Sequence, residues 1–216
     1  MSRSRDLADL LSGGSLPRSS MPSGTVLQCV TTNYADDTSF SLNASSSSAD
    51  NGKMHRVPGL DTSITPTSTR SRILYQATVY LGGNLLYDIG IHIIKNATST
   101  VSTTTTNYTD TTPLGGSYLT DSSGNAIRGQ TSNTTPKGTG VVNDHKTDLY
   151  AQYGIKSASM SLLDHPNTTS QITYNFAIAW YAWENYALYM NRSSANQQSS
   201  HFDTNPVSTV TLMEIA

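Results

Sequence analysis

The chain has 216 residues, of which 36% are hydrophobic and 13% are charged, and its formal net charge is -2. This length suits one domain, because single all-β sandwiches reach this size. No run of Lys or Arg is longer than two residues. Because phosphate binding needs clustered cations, we expect no nucleic-acid-binding face.

Residues 1–23 differ from the rest of the chain. Leu7, Leu10 and Leu11 have helical spacing, and two glycines follow them. So short a helix is marginal alone and needs a surface to lie on, which predicts a segment that binds a partner. A disordered tail is the alternative.

The segment of residues 1–23 lacks the apolar core of a secretory signal. No apolar run in the chain approaches the ~20 residues of a membrane span, so we expect no membrane insertion.

From residue 24 onward, the periodic segments alternate polar and apolar residues with period two, as β-strands do. Arg72 to Leu81 is the clearest strand, and the turn Gly82-Gly83-Asn84 joins it to an alternation that ends at Ile93. These two strands predict an antiparallel hairpin. Further strands are predicted at Val26–Thr32, Thr38–Leu42, Ser157–Leu163, Ile172–Trp180, Ala187–Asn191 and Ser208–Ile215. This pattern predicts an all-β fold over residues 24–216, an antiparallel sandwich or a barrel.

Residues 96–146 are rich in Thr, Ser, Gly and Asn and contain few large apolar residues. A structureless loop of this length is uncommon inside a domain. We expect a long polar insertion that faces outward, contains a short hairpin around Ser117–Thr131 and carries partner contacts. Disorder is the alternative.

The C-terminal strand carries apolar residues on both faces. One face can enter the core, and the other then needs another subunit. The outward positions of the other strands are mostly Ser, Thr, Gln and Ala, where a monomeric sandwich places more Lys and Glu. We therefore predict a homo-oligomer with a subunit interface at Val210, Leu212, Met213 and Ile215. A central strand of a single sandwich is the alternative.

Residues with catalytic or metal-binding chemistry form no recognisable motif. The five histidines (His55, His92, His145, His165 and His201) include no His-x-His or His-x₃-His pair, so a metal site would need distant residues to converge. Gly-x-Ser-x-Gly and Gly-rich phosphate loops are absent. Asp36, Asp37 and Asp61 are candidate carboxylates for glycoside cleavage, although acidic turn residues explain them equally well.

Two other groups of side chains have a structural and a functional interpretation. Cys29 is the single cysteine, which excludes an intramolecular disulfide and a thiolate zinc site, and its apolar neighbours predict a buried thiol. The aromatic residues from Trp180 to Tyr189 are expected in the core and at a subunit interface, with a sugar-stacking platform as the alternative.

Four segments carry a resemblance to a known family. They are Ser63-Ile-Thr-Pro-Thr-Ser-Thr-Arg-Ser-Arg-Ile-Leu74, Ser161-Leu-Leu-Asp-His-Pro-Asn-Thr-Thr-Ser170, Tyr189-Met-Asn-Arg-Ser193 and Ser208-Thr-Val-Thr-Leu-Met-Glu-Ile215. In this order, residues 24–95 and 157–216 resemble small virion structural proteins of tailed bacteriophages, particularly cyanophages. The resemblance implies an antiparallel sandwich of jelly-roll type that assembles as a homotrimer on a fibre or similar appendage.

The first eleven residues resemble the virion-anchoring end of phage fibre proteins. The anchor residues that this implies are Arg3, Arg5, Leu7, Leu10 and Leu11. They would attach a short extended or helical segment to a tail adaptor, nozzle, portal-proximal or capsid protein. The implied location is the virion, after synthesis in the bacterial cytoplasm, and contact with a host-surface glycan or protein is a further expectation.

The resemblance implies a binding protein, so we expect no enzymatic activity and no cofactor. A capsid decoration protein, which would act as a cement or a head fibre, is the alternative within the same class. Two alternatives come from other classes. One is a polysaccharide-degrading tailspike enzyme, and the other is a secreted C1q-like or lectin-like binding domain.

Overall fold

The computed structural model describes residues 21–41, 53–83, 89–101, 113–127, 140–142, 155–180, 187–193 and 205–216. The predicted N-terminal helix and its anchor residues lie outside these ranges, as do His145, His201 and residues 181–186. Two short 3₁₀ turns occur at Pro58–Leu60 and Pro113–Gly115, and the remaining regular structure of the described part is β. In chain order the strands are β1 (Val26–Tyr34), β2 (Thr38–Ser41), β3 (Met54–Arg56), β4 (Thr62–Ile64), β5 (Arg72–Gly83), β6 (Ile89–Lys95), β7 (Ser117–Thr120), β8 (Ala126–Ile127), β9 (Gly140–Val142), β10 (Ile155–Asp164), β11 (Ile172–Trp180), β12 (Ala187–Met190) and β13 (Ser208–Ile215).

The strands form two antiparallel sheets that pack against each other. In the first sheet, β1 pairs with β13, β13 with β5, and β5 with β10, while β12 continues beyond β13 along the same side of β5 and pairs with β2. In the second sheet, β3 and β4 pair one after the other with the same edge of β11, the other edge of β11 pairs with β6, and β6 pairs with β7 and β9. β8 extends this sheet beyond β7.

This strand order is that of a jelly roll. The first and last strands of the chain lie side by side, and the chain crosses to the opposite sheet between β5 and β6 and again between β10 and β11. Two sheets that exchange strands in this way make the double Greek key of jelly-roll domains. The prediction of an all-β sandwich of jelly-roll type is therefore confirmed.

The predicted hairpin between β5 and β6 is wrong, because the two strands belong to different sheets. Each strand has a fully apolar inward face, with Ile73, Val79 and Leu81 on β5 and Ile91 and Ile93 on β6. Strands in opposite sheets can pack such faces against each other across the core, which side-by-side pairing cannot do. The remaining predicted strands are observed within two or three residues of their expected ends.

Part of the expected outer insertion belongs to the second sheet. β7 pairs with β6, and Leu114, Tyr118 and Leu119 are buried. Leu114 and Tyr118 pack with Met54, Ile94 and Ala177 on the outer side of the second sheet. The expectation that the insertion faces outward is therefore wrong for Leu114, Tyr118 and Leu119, which bury enough surface to fix the segment. The short hairpin is confirmed as β7 and β8.

Candidate functional site

The two outer faces of the sandwich differ in exposure. On the second sheet, the outward side chains of His92, Ile94 and Ala177 are each at most 1% exposed. On the first sheet, the outward side chains are exposed or half-buried along all four strands β1, β13, β5 and β10. The first sheet therefore presents a broad accessible surface, which we name the open face.

The strand register arranges the open face in three rows that each cross all four strands. The apolar row is Cys29, Met213, Leu74 and Leu163; the middle row is Thr31, Thr211, Gln76 and Ser161; and the upper row is Asn33, Thr209, Thr78 and Ser159. None of these twelve side chains carries a charge. The face thus combines an apolar row with two rows of hydroxyl and amide groups.

The polar rows contain cross-strand hydroxyl pairs and a shallow depression. The hydroxyl groups of Thr31 and Thr211 are 3.1 Å apart, as are those of Thr78 and Ser159. A depression of about 490 Å³ lies between the middle and upper rows, with the side chain of Gln76 on its border. A hydroxyl group donates one hydrogen bond and accepts two, so each pair retains capacity for a partner. The depression offers hydroxyl, amide and apolar groups, a set that suits binding.

The predicted interface residues of β13 divide between the two sides of the strand. Val210 and Leu212 are fully buried in the chain's own core. They are therefore not available to a partner, and this corrects the predicted interface set. Met213 and Ile215 point outward and are half-buried, so the interface prediction remains for these two residues.

Cys29 lies on the open face, and its thiol is free and exposed. The prediction of a buried thiol is therefore wrong. A register shift between Val26 and Gln28 changes the alternation of β1 and turns Cys29 outward beside Met213. An apolar run without a clear period gives no signal of such a bulge.

Glu214 is the first of three buried polar groups in the segments that carry the family resemblance. It faces inward on β13 and is fully buried. One carboxylate oxygen accepts hydrogen bonds from the backbone N–H and hydroxyl of Thr67, at 2.8 and 2.7 Å, and from the hydroxyl of Ser71, while the other accepts from Gln28 at 2.6 Å. Desolvation raises the pKa of Glu214, but the hydrogen bonds from Ser71, Thr67 and Gln28 outweigh it, and the pKa lies below its ordinary value. The hydroxyl-rich turn before β5 thus holds the C-terminal strand.

Asp164 is the second group, and it joins the two sheets inside the core. Its carboxylate lies 3.0 Å from the ammonium group of Lys95 on β6 and accepts a 2.6 Å hydrogen bond from the phenol of Tyr174 on β11. The backbone N–H of Thr120 donates a further bond of 2.6 Å. Burial, with the nearby Asp164 carboxylate, raises the pKa of Tyr174 above its ordinary value. A buried ion pair is tolerated only when hydrogen bonds satisfy its remaining atoms, as they do here.

Asn191 is the third group, and it closes the end of β12. Its φ of 58° lies in the left-handed region, which asparagine tolerates better than most residues. Its side-chain amide donates to the carbonyl oxygens of Tyr34, at 2.7 Å, and Asp36, at 3.0 Å, and it accepts from the hydroxyl of Ser208. All three groups serve the fold, and sequence reasoning missed their partners. Glu214 carried a signal, since an acidic residue at an inward strand position needs buried donors.

Of the three carboxylates considered for glycoside cleavage, two have ion-pair partners and the third is exposed. Asp61 pairs with the guanidinium of Arg56, and the amide of Asn175 donates to it at 2.7 Å. Asp37 lies 3.5 Å from Arg192, and Asp36 is exposed. Asp61 therefore ties β3 to β11, which favours the structural interpretation of this residue.

The described histidines occupy separate places. His55 is half-buried in β3, with its ring centroid 6.3 Å from that of Phe40. His92 is buried on the outer side of the second sheet, and burial lowers its pKa to about 4. His165 is half-buried in the turn after β10. Within the described ranges, no three His, Cys, Asp or Glu side chains converge on a possible metal position.

Tyr189 packs under the guanidinium of Arg192, which lies 4.2 Å from the ring centroid, while the side chains from Trp180 to Tyr186 lie outside the description. In the parts of the chain that the structure covers, no helix has the length and hydrophobicity needed to cross a membrane.

Comparison with known protein families finds no family that matches the chain, and comparison with curated proteins finds no match either. The resemblance to phage virion proteins therefore stays a prediction.

Proposed function

We propose that the chain is a non-enzymatic structural protein of a bacteriophage virion and that it works by binding. The observation that carries this proposal is the open face, twelve uncharged side chains across four strands of a jelly-roll sandwich. Its hydroxyl, amide and apolar groups supply contacts to another surface. A surface of this kind, with so few charges, favours burial against a protein partner over permanent exposure to water.

The fold supports the same class of function by analogy. Jelly-roll domains build viral capsids and lectins, among other proteins. Because one fold hosts many functions, this analogy supports the proposal and does not carry it. The proposed assembly is a homotrimer that forms a fibre or appendage, attached through residues 1–23 to another virion protein and in contact with the host surface. Capsid decoration is the alternative that the same face and fold also support.

Mass spectrometry of purified phage particles tests the proposal. We expect the chain in the particles, and we expect a version without residues 1–22 to fold but to be missing from them. Absence of the full-length chain from the particles would contradict a virion role and favour the secreted binding domain. Incorporation of the truncated chain at normal copy number would contradict the anchor. Degradation of host polysaccharide by the purified protein would favour the tailspike enzyme.

A further inference from the structure

We infer that the open face packs against the open faces of other copies of this chain, with the apolar row inside the contact. This inference rests on the proposed homotrimer and specifies how its copies meet. It moves the predicted interface from a single strand, β13, to a surface that spans β1, β13, β5 and β10.

The first reason is the absence of charge. Identical faces that carried a net charge would repel each other when copies meet, because like charges across an interface are unfavourable. The apolar, middle and upper rows contain no charged side chain. Arg72 stands beyond the apolar row, and its guanidinium donates a 2.9 Å hydrogen bond to the carbonyl oxygen of Ala216. Arg72 keeps its charge, and this hydrogen bond holds its guanidinium within its own chain.

The second reason is that the polar rows are self-complementary. A hydroxyl or amide group both donates and accepts hydrogen bonds, so a row of Thr, Ser, Gln and Asn can pair with a copy of itself. A partner of defined charge would gain little from such a surface. The two cross-strand hydroxyl pairs also fix several of these side chains before docking, which reduces the entropy lost on binding.

The third reason is area. Four strands spaced ~4.8 Å apart make the face roughly 19 Å wide, and rows recur every ~6.6 Å along the strands. With the flanking rows, which contain Val26, Ile215 and Arg72 at one end and Tyr80 and Ser157 at the other, the five rows cover roughly 600 Å² in projection. The accessible area is larger because side chains are corrugated, so it approaches the ~800 Å² per partner of a standard stable interface. Val26 is 51% exposed at the rim, which leaves apolar surface for a partner to cover.

The arrangement suits a threefold assembly. Three copies that turn this face toward a common axis, with their strands running along it, would place their apolar rows at one level, where Leu74 and Met213 of all copies meet. The hydroxyl rows would then pair between neighbours. Met213 and Leu74 are half-buried within one chain, so they have surface left to bury.

Cys29 allows a test without any mutation, because it is the single cysteine and lies in the apolar row. In the assembled wild-type protein, we expect alkylation of its thiol about tenfold or more slower than in a dilute, dissociated sample, since access limits thiol reactivity. A short bis-maleimide should link two chains through Cys29 and give a dimer band on a denaturing gel. No larger species should form, because each chain has one thiol.

Variants separate the inference from the proposed function. Gln76→Glu keeps the shape of an exposed side chain and adds a charge to each copy, so we expect it to fold as the wild type does but to dissociate, with partial recovery at high salt. The Leu74→Asp variant should dissociate fully into single chains. If this variant fails to fold, the Gln76→Glu variant still tests the docking inference. Ser122→Asp in the exposed β7–β8 turn is the matched control and should assemble normally.

Each outcome of these experiments either supports or overturns the docking inference or the homotrimer. An assembled wild type with a freely reactive Cys29, or with Gln76→Glu still assembled, would overturn the docking inference and leave the homotrimer intact. A wild type that is monomeric at all concentrations would overturn the homotrimer itself. Slow alkylation, a cross-linked pair and a dissociated Gln76→Glu together would support the inference.

Discussion

Tyr75 and Tyr174 are two buried tyrosines with ring centroids 6.1 Å apart, and their hydroxyl groups have opposite surroundings. The Tyr75 hydroxyl has no hydrogen-bond partner within the described residues, whereas that of Tyr174 donates to Asp164. Tyr75→Phe should therefore raise the free energy of unfolding by about 1 kcal/mol, because it removes a buried unsatisfied group. Tyr174→Phe should lower it by about 1–3 kcal/mol, because it removes a donor from a buried carboxylate. Urea denaturation of both variants measures the difference, and equal changes would contradict these surroundings.

His92 makes stability depend on pH. Burial lowers its pKa from 6.5 to about 4, so below pH 6.5 the unfolded chain binds a proton that the folded chain does not. The free energy of unfolding should therefore fall as pH drops from 6.5 to 4, by about 3 kcal/mol in total from this residue.

The comparison with His92→Leu isolates this contribution. The variant should lose less stability than the wild type between pH 7 and pH 4, as measured by denaturation at each pH. Parallel curves for the two proteins would show that His92 is not buried in its neutral form.

At the scale of elements, the turn before β5 and the last strand act as one unit through Glu214. Glu214→Gln should lower the free energy of unfolding by about 1–3 kcal/mol, because one acceptor oxygen becomes an NH₂ group that faces other donors. Thr67→Val is the matched control, since it removes one hydroxyl donor and retains the carboxylate. Denaturation should show a smaller loss for Thr67→Val, and a larger loss would contradict the central role of the carboxylate.

The Glu214 carboxylate also makes the free energy of unfolding depend on pH in the acid range. The folded pKa of Glu214 lies below its unfolded value, so its stabilising contribution is present above pH 4.5 and is lost as pH falls through the folded pKa. This loss begins near pH 4.5, at the acid end of the window in which His92 titrates, so the decline between pH 6.5 and pH 4.5 reports on His92.

Alternation predicted the strands because each buries one face, as Ile73 on β5 and Phe176 on β11 show by their burial in the core. It could not assign strands to sheets, since β5 and β6 alternate equally well as a hairpin or in opposite sheets. The bulge that exposes Cys29 leaves no trace in composition. The composition of residues 113–127 is mostly polar. The burial of Leu114, Tyr118 and Leu119 is nevertheless enough to hold this segment against the core.

The sequence predicted that the protein has an interface, but it did not predict all the residues that form the open face. The low charge of the outward positions predicted an interface, and Met213 and Ile215 do point outward. The partners Leu74, Leu163 and Cys29 come from strands far apart in sequence, and only the register of the sheet aligns them. Sequence patterns within single strands do not specify that register.

At the scale of the whole molecule, the two outer faces of the sandwich differ. The outer face of the second sheet is covered, whereas that of the first sheet is open. The second sheet is buried on both sides, and the first has one side left to bury. We propose that assembly buries this remaining side, which would account for an uncharged face without a catalytic role.

Light scattering of the wild-type protein after size exclusion is the most direct test of assembly. We predict a molar mass of about three times the 23.2 kDa of one chain at micromolar concentration. A stable mass of one chain across the accessible concentration range would contradict the account, because the open face would then remain exposed in the native protein.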